Sequence, residues 1–422
     1  MDLTARLRRF SFARPHLLVA TAPAAIETRL AVERYARERG WPVAESPADT
    51  DVLVVVGPID DGLASVVAVL ESQVPAPWVR VDLLDVDSVA ARLDVAPDRL
   101  ADWSPDPRMS SGPEIPPPEG DNGGHGDHGD HPVSVPARTD SPEPAAHEMG
   151  GHEMGGHEHH MGAVAGLSMA GRAPDRDGLK LDALHVPLGP VLGYWPAGLR
   201  ISLTLQGDVV QDAVVETIGL PAGGPSFWDL PMVSALSGDH IRMGDIARRR
   251  AASHLDSLMR LLGVAGWEGP AMSCAILRDR VLDGEPAGPL METFRPLGRR
   301  VAKSRALRRM TEGIGELTGR ACEQAGISGP AAVAAGDVWA RIEQWVRSTE
   351  EDLARSDDSS WVADVEGPRG RLDRAEPPST ALLRVLPVLL VGAELAAVRL
   401  IVASLDPDLA QLASQPVMVT HG

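Results

Sequence analysis

The stretch from Gly189 to Val210, GPVLGYWPAGLRISLTLQGDVV, sets the fold of the chain's second half. It predicts a strand pair, Leu199–Leu205 and Val209–Ile218, on either side of Gly207-Asp208. Beyond it, apolar residues at helical spacing predict helices at Met243–Leu262, Pro296–Ala325 and Asp337–Ala354. A final helix and strand are expected within Ala381–Ala403. These elements make an α+β, mainly helical domain over 177–422.

Upstream the pattern changes. His16–Thr21 is a short apolar run, Ile26–Arg39 is helix-like and closed by Gly40, and Asp51–Val56 reads DVLVVV. Leu63–Leu70 has helical spacing, and Trp78–Leu83 reads as another strand. Continuous apolar strands separated by helices imply a parallel sheet covered on both faces. The expected fold over 1–103 is an α/β doubly wound domain. Between the two, residues 104–176 are rich in Pro, Gly, His, Asp and Glu, with almost no aromatics and no periodicity. Such a composition buries too little apolar surface to offset the entropy of ordering, and a disordered linker is expected there.

The 422 residues carry a net charge of -19, which argues against nucleic acid as a partner. Cys274 and Cys322 are the only cysteines; they exclude a disulfide framework and fit a reducing cytoplasm as small buried hydrophobes. Arg6, Arg8, Arg9 and Arg14 before HLLVATAPAA loosely mimic a signal peptide, but the apolar run is short and leads straight into a helical pattern. Ala381–Leu405 is apolar yet interrupted by Arg384, Glu394 and Arg399, so no transmembrane segment is expected.

The stretch from Gly189 resembles, without a gap, the start of the large quinone-binding subunit of respiratory complex I, a relative of the large subunit of nickel–iron hydrogenases. That pattern reads GPxHPxxHGxLRLxLxLxGExV. Gly189, Pro190, Leu199, Arg200, Leu203, Leu205, Gly207 and Val210 fit it, whereas Leu192 and Pro196 stand where it has histidines. The resemblance implies a turn facing a quinone headgroup, where an imidazole donates a hydrogen bond or a proton; leucine and proline can do neither. Three further landmarks follow in family order. They are SHL at Ser253–Leu255, the ExPRG-like turn Glu366–Gly370, and Leu390–Asp406, which resembles a closing helix and strand ending in a GSxD-like sequence. The family's GYxHRGxEK is replaced by GLPAGGPSFWD from Gly219, and the two CxxC pairs that hold nickel and iron are absent.

The first domain resembles the small iron–sulfur subunit of the same machine, with its CCAIE, DVLIVAGTV and PxWVxxxGSCA motifs. Here they read PAAIE (Pro23–Glu27), DVLVVVGPI (Asp51–Ile59) and PAPWVRVDLLDV (Pro75–Val86). Pro23 and Ala24 replace two cluster cysteines, Asp85 falls at the third, and the fourth has no counterpart. Without thiolates no such cluster forms.

The resemblances together imply a fusion of both subunits that packs within one chain. The function they imply is that of a non-catalytic accessory or structural subunit of a bacterial complex I-like (NADH–quinone oxidoreductase) or membrane-bound hydrogenase-like complex. It would be cytoplasmic and peripheral at the inner face of the cell membrane, docked on membrane and peripheral subunits, with no catalytic or cofactor-binding residues of its own. An alternative is a divergent quinone oxidoreductase subunit still in an electron-transfer complex, whose sign would be a chamber lined by polar groups such as His185, Tyr194 or Glu366. His254, beside Leu255 in an amphipathic helix, reads as a satisfied structural group, and Glu366 with Arg369 as a salt-bridged turn. Arg248, Arg249 and Arg250, with Arg299, Arg300, Lys303, Arg305, Arg308 and Arg309, form two basic helix faces. These are solvated surfaces or docking sites for acidic partners.

A third reading rests on 104–176. HGDHGDH places His125, His128 and His131 three apart. HEMGGHEMGGHEHHMG adds His147, His152, His157, His159 and His160 with Met149, Met154 and Met161. Imidazoles suit Cu(II), Ni(II) or Zn(II), and thioethers suit Cu(I), so a His/Met-rich metal-binding protein is the expected function if this segment is the working part.

Overall fold

The computed structural model describes residues 10–103, 171–174, 180–220, 223–361 and 366–413. In the N-terminal part, β1 (Leu17–Thr21), β2 (Val52–Val56) and β3 (Val79–Leu83) form a parallel sheet in that order. Every residue of β2 is buried, as a central strand covered on both faces requires. Alternate residues feed two cores. Val52, Val54 and Val56 join Leu17, Val32 and Leu83 on one side, while Leu53 and Val55 join Leu18 and Val67 on the other. The crossovers are α1 (Ile26–Arg39) and α2 (Asp61–Gln73), and α3 (Ser88–Asp94) and α4 (Ala96–Ala101) follow β3. The first stops at Gly40, whose left-handed φ of 65° lets its N–H reach the carbonyls of Ala36 and Arg37. The second starts at Asp60, whose carboxylate accepts from the Leu63 N–H at 2.8 Å.

In the C-terminal part, β4 (Gly171–Pro174), β5 (Lys180–Leu188), β6 (Leu199–Gln206) and β7 (Val209–Thr217) form an antiparallel meander. The expected pair is its last hairpin; Leu199, Ile201, Leu203 and Leu205 point inward and the residues between them are half-buried. β4 and β5 extend the sheet beyond that pair, and β4 falls inside the stretch read as linker. The rest of 104–176 lies outside the described residues.

The helices begin with α5 (Leu230–Leu236), α6 (Met243–Val264) and α7 (Glu268–Leu282). Next come α8 (Ala287–Ala302), α9 (Arg305–Thr311), α10 (Gly319–Ala325), α11 (Pro330–Ala334) and α12 (Val338–Ala354). A short hairpin, β8 (Glu366–Gly367) and β9 (Gly370–Arg371), precedes α13 (Pro378–Leu390) and α14 (Leu395–Leu405). α6 is the central element, buried without a break from Arg250 to Leu262.

Two expectations are corrected. The single helix over Pro296–Ala325 is three, because Ser304 and Thr318 accept N–H groups that start new helices and Gly313 and Gly315 take positive φ between them. The last element is a helix rather than a strand. Gly392, at φ 85°, separates α13 from α14, whose apolar run was long enough to read either way.

The N- and C-terminal parts belong to one compact unit and share their cores. Ile26 and Leu30 of α1 are buried among the C-terminal helices, while Val191 and Ile218 pack against the cores of the N-terminal sheet. Among the described residues, no helix is long and apolar enough to cross a membrane.

Candidate functional site

The loop after β1, the turn before β6 and the middle of α6 meet at the junction of the two parts. Pro23 is buried there against the turn. Gly198 takes a φ of 78°, and a Cβ on it would lie 2.5 Å from both the Pro23 ring and the Ile218 carbonyl oxygen, so glycine is required. Trp195 anchors the turn by donating its indole N–H to the Leu199 carbonyl at 2.7 Å. Arg399 of α14 donates to the Gly193 carbonyl at 2.7 Å.

Buried charges fill the junction. Asp256 on α6 accepts from Arg29 of α1 at 2.8 Å and from Arg278 of α7 at 2.6 Å, with Arg260 3.3 Å away. Burial alone would raise the Asp256 carboxyl, but these three guanidinium groups hold it well below the usual carboxylate range. Arg278, with no exposed side-chain surface, also meets Glu33 at 2.9 Å and Asp279 at 3.0 Å. Arg260 continues the network to Asp406 at 3.0 Å. Asp406 pairs with Arg369 at 2.6 Å, and Arg369 also donates to the hydroxyls of Ser253 and Ser257 at 3.1 and 3.0 Å. Arg29, Arg260, Arg278 and Arg369 thus interlock with Glu33, Asp256, Asp279 and Asp406. This pairing, complete but for Arg278 Nη2, which has no partner among the described residues, is what makes the buried charge tolerable. The cavity left beside them, lined by Pro23, Ala197, Arg369 and Asp408 among others, measures about 20 Å³, room for a water-sized occupant.

Two further buried groups flank the network. His254 lies 3.7 Å from Asp352, but burial and the charges of Arg369 and Arg250 push its pKa down to about 3, so it is neutral and the contact is no salt bridge. Its Nδ1 has no hydrogen-bond partner among the described residues. Asp352 is instead paired with Arg250 at 2.8 Å. Asp229 is buried with one carboxylate oxygen held by Gln411 at 2.7 Å and the other without a partner among the described residues. Burial, reinforced by the Asp408 charge, raises its pKa to about 7.

A second, larger cavity of about 480 Å³ opens on the other side of Arg29 and Arg260. β1, α1 and Trp41–Glu45 form one wall, and Pro190–Ala197, α6 and α7 the other. Tyr194 lines it, whereas His185 and Glu366 do not. His185 is exposed on β5, 3.2 Å from the Thr204 hydroxyl, and so does not approach the junction.

The positions implied by the resemblance do not fit an iron–sulfur cluster or a quinone. Pro23 is a buried packing group, Ala24 is exposed, and the Asp85 carboxylate accepts from the Ser88 N–H at 2.8 Å. Leu192 lines the larger cavity and Pro196 is buried in the turn. None offers a thiolate or an imidazole. The cysteines are elsewhere: Cys274 is buried in α7, where desolvation lifts its thiol to about 12, and Cys322 is buried in α10.

The first basic face is partnered within the chain, with Arg250 buried and Arg248 and Arg249 half-buried. Arg248 meets Asp357 at 2.6 Å, Arg249 stacks 4.0 Å over Phe227, and Arg250 holds Asp352. Arg299, Lys303, Arg305 and Arg309 stay exposed. The histidines and methionines from His125 to Met161 lie outside the described residues. Asp256, Arg278, Arg260 and Asp229 were not singled out in the sequence; the available signal was charge at helical spacing inside otherwise apolar helices.

No family model and no curated protein matches the chain. Among solved structures it is similar to a chain from the membrane-bound sulfane sulfur reductase, an archaeal respiratory membrane complex, at 17% identity and a TM-score of 0.39, over 54% of this chain and 98% of that one.

Proposed function

We propose that this protein is a non-catalytic structural subunit of a complex I-like or hydrogenase-like membrane assembly. One observation carries this reading. The junction at which the resembled subunits place their reactive groups is occupied here by a closed set of ion pairs joining α1 to α6 and α7. Such a network fixes the two parts in one arrangement and commits its carboxylates to guanidinium partners, while the unpartnered atoms of Asp229, His254 and Arg278 are buried. Retention of the turn, the Arg369 hairpin and the closing helix preserves a shape, which is what docking requires.

The test is affinity purification of the full chain from gently solubilised native membranes, with identification of what accompanies it and assay of iron and acid-labile sulfide. Recovery of membrane subunits, with no iron or sulfide assignable to this chain, is the expected result. A soluble chain free of partners, or iron and sulfide bound to the chain after its partners are stripped, would overturn the reading.

A further inference from the structure

The larger cavity lies beside the locked junction and shares Arg29, Glu33 and Arg260 with it. Its volume of about 480 Å³ lies in the range of small-molecule sites. Its walls are mainly apolar, with Leu18, Val32, Trp41, Leu192, Met259 and Ala275 among them. Its polar groups divide by sign in a way that selects a ligand. The guanidinium groups that reach it are already committed: Arg29 to Glu33 and Asp256, Arg37 to Asp279, and Arg260 to Asp256 and Asp406. The carboxylates of Glu45 and Glu268 also line it, are exposed, and have no ion-pair partner among the described residues.

Tyr194 stands among these groups, with no hydrogen-bond partner among the described residues. Burial, and then the charges of Glu268, Glu45 and Glu33, hold its phenol above the ordinary value against the opposing charge of Arg399. Its backbone is left-handed at φ 58°, a costly conformation for a bulky aromatic residue. Its ring is seated on Gly263, where any Cβ would lie 2.5 Å from the ring Cζ. The fold therefore spends backbone strain and a glycine to place this ring at the cavity.

We propose that the cavity binds a hydrophobic organic cation, its apolar body between α1 and α7 and its charge among Tyr194, Glu45 and Glu268. An anion would meet unpaired carboxylates, and every guanidinium lining the cavity is already ion-paired. An uncharged molecule would gain only the apolar walls. A cation gains those walls and the carboxylates.

Three fluorescent probes sharing a diphenylhexatriene body test this on the full chain at low ionic strength: the trimethylammonium derivative, the uncharged parent and the propionic acid derivative. Saturable one-to-one binding of the trimethylammonium probe is expected, at least about tenfold tighter than the propionate, which corresponds to about 1.4 kcal/mol. Added salt should shrink that advantage. In the Glu45→Gln/Glu268→Gln double variant the cation should fall to the affinity of the uncharged probe, whose own binding should not change. Ala275→Phe should weaken all three by filling the cavity. Equal or tighter binding of the propionate or the parent overturns the proposal, as does cation binding unmoved by the double variant. Both glutamates are exposed, so that arm decides even if Ala275→Phe does not fold.

Discussion

Replacing Asp229 with asparagine should change how stability depends on pH. Two carboxyl groups are buried side by side near the Arg369 hairpin, and their surroundings assign the charge. Asp408 receives the Ser226 hydroxyl and the Ala410 N–H, whereas Asp229 receives only Gln411 and keeps one oxygen without a partner among the described residues. Burial raises both carboxyls; Asp229, with fewer donors and the Asp408 charge beside it, rises from the ordinary 3.8 to about 7 and so holds a proton below that pH. The folded state holds this proton over a range where the unfolded chain has released it, so stability falls as pH rises from about 4 to about 7. Between pH 5.5 and 8 the loss covers about 1.5 pKa units, or about 2 kcal/mol.

Asparagine cannot ionise, so Asp229→Asn should abolish that loss. Its amide N–H₂, placed where the unpartnered oxygen stands, adds a constant cost of about 1–3 kcal/mol at every pH. The decisive quantity is thus the change in the difference between the two proteins. By urea denaturation, the variant should gain about 2 kcal/mol on the wild type between pH 5.5 and 8. A difference that is the same at both pH values would refute the placement of the proton.

Three other outcomes follow from the same geometry. Asp256→Asn strips the shared partner from Arg29, Arg260 and Arg278 and should destabilise by about 3–5 kcal/mol in denaturant titrations; a loss under about 1 kcal/mol would show the junction to be effectively solvated. Cys274, buried with its thiol pushed up to about 12, should resist alkylation at neutral pH until the protein unfolds; rapid labelling of folded protein would contradict this burial. Exchanging His125, His128, His131, His147, His152, His157, His159 and His160 for serine, with Met149, Met154 and Met161, should remove Cu, Ni or Zn binding measured by calorimetry and leave the melting transition unchanged; metal retained by that variant would place the ligands elsewhere.

Much of the fold was legible because it is written in local pattern. α1 appears over the residues its periodicity and Gly40 mark, and β2 over an unbroken apolar run. The errors arose where local pattern is ambiguous. Arg305–Thr311 and Gly319–Ala325 carry the same helical spacing as the helix before them, and only the hydroxyls of Ser304 and Thr318 announce new starts. β5 was missed because its alternation is interrupted by Pro187 and its register comes from pairing with β6.

The candidate site was legible only as a set of losses. Pro23, Leu192 and Pro196 show which chemistry the resembled positions no longer support, but not what holds the junction instead. Its charges come from residues as far apart as Arg29, Asp256, Arg278, Arg369 and Asp406, of which only Arg369 drew a reading from the sequence, as part of a salt-bridged turn with Glu366. What distinguishes them is burial, which only tertiary packing supplies: α6 places Asp256 and Arg260 on one face, α1 and α7 close over it, and every partner is then obligatory. A reaction centre needs groups whose bonding capacity is left open to a substrate; at this junction most of that capacity is spent in ion pairs, and His254 Nδ1, Arg278 Nη2 and Asp229 Oδ1, which lack partners among the described residues, are buried. The groups open to a cavity are Tyr194, Glu45 and Glu268, on the far side of Arg29 and Arg260, and recognition of the proposed cation falls to them.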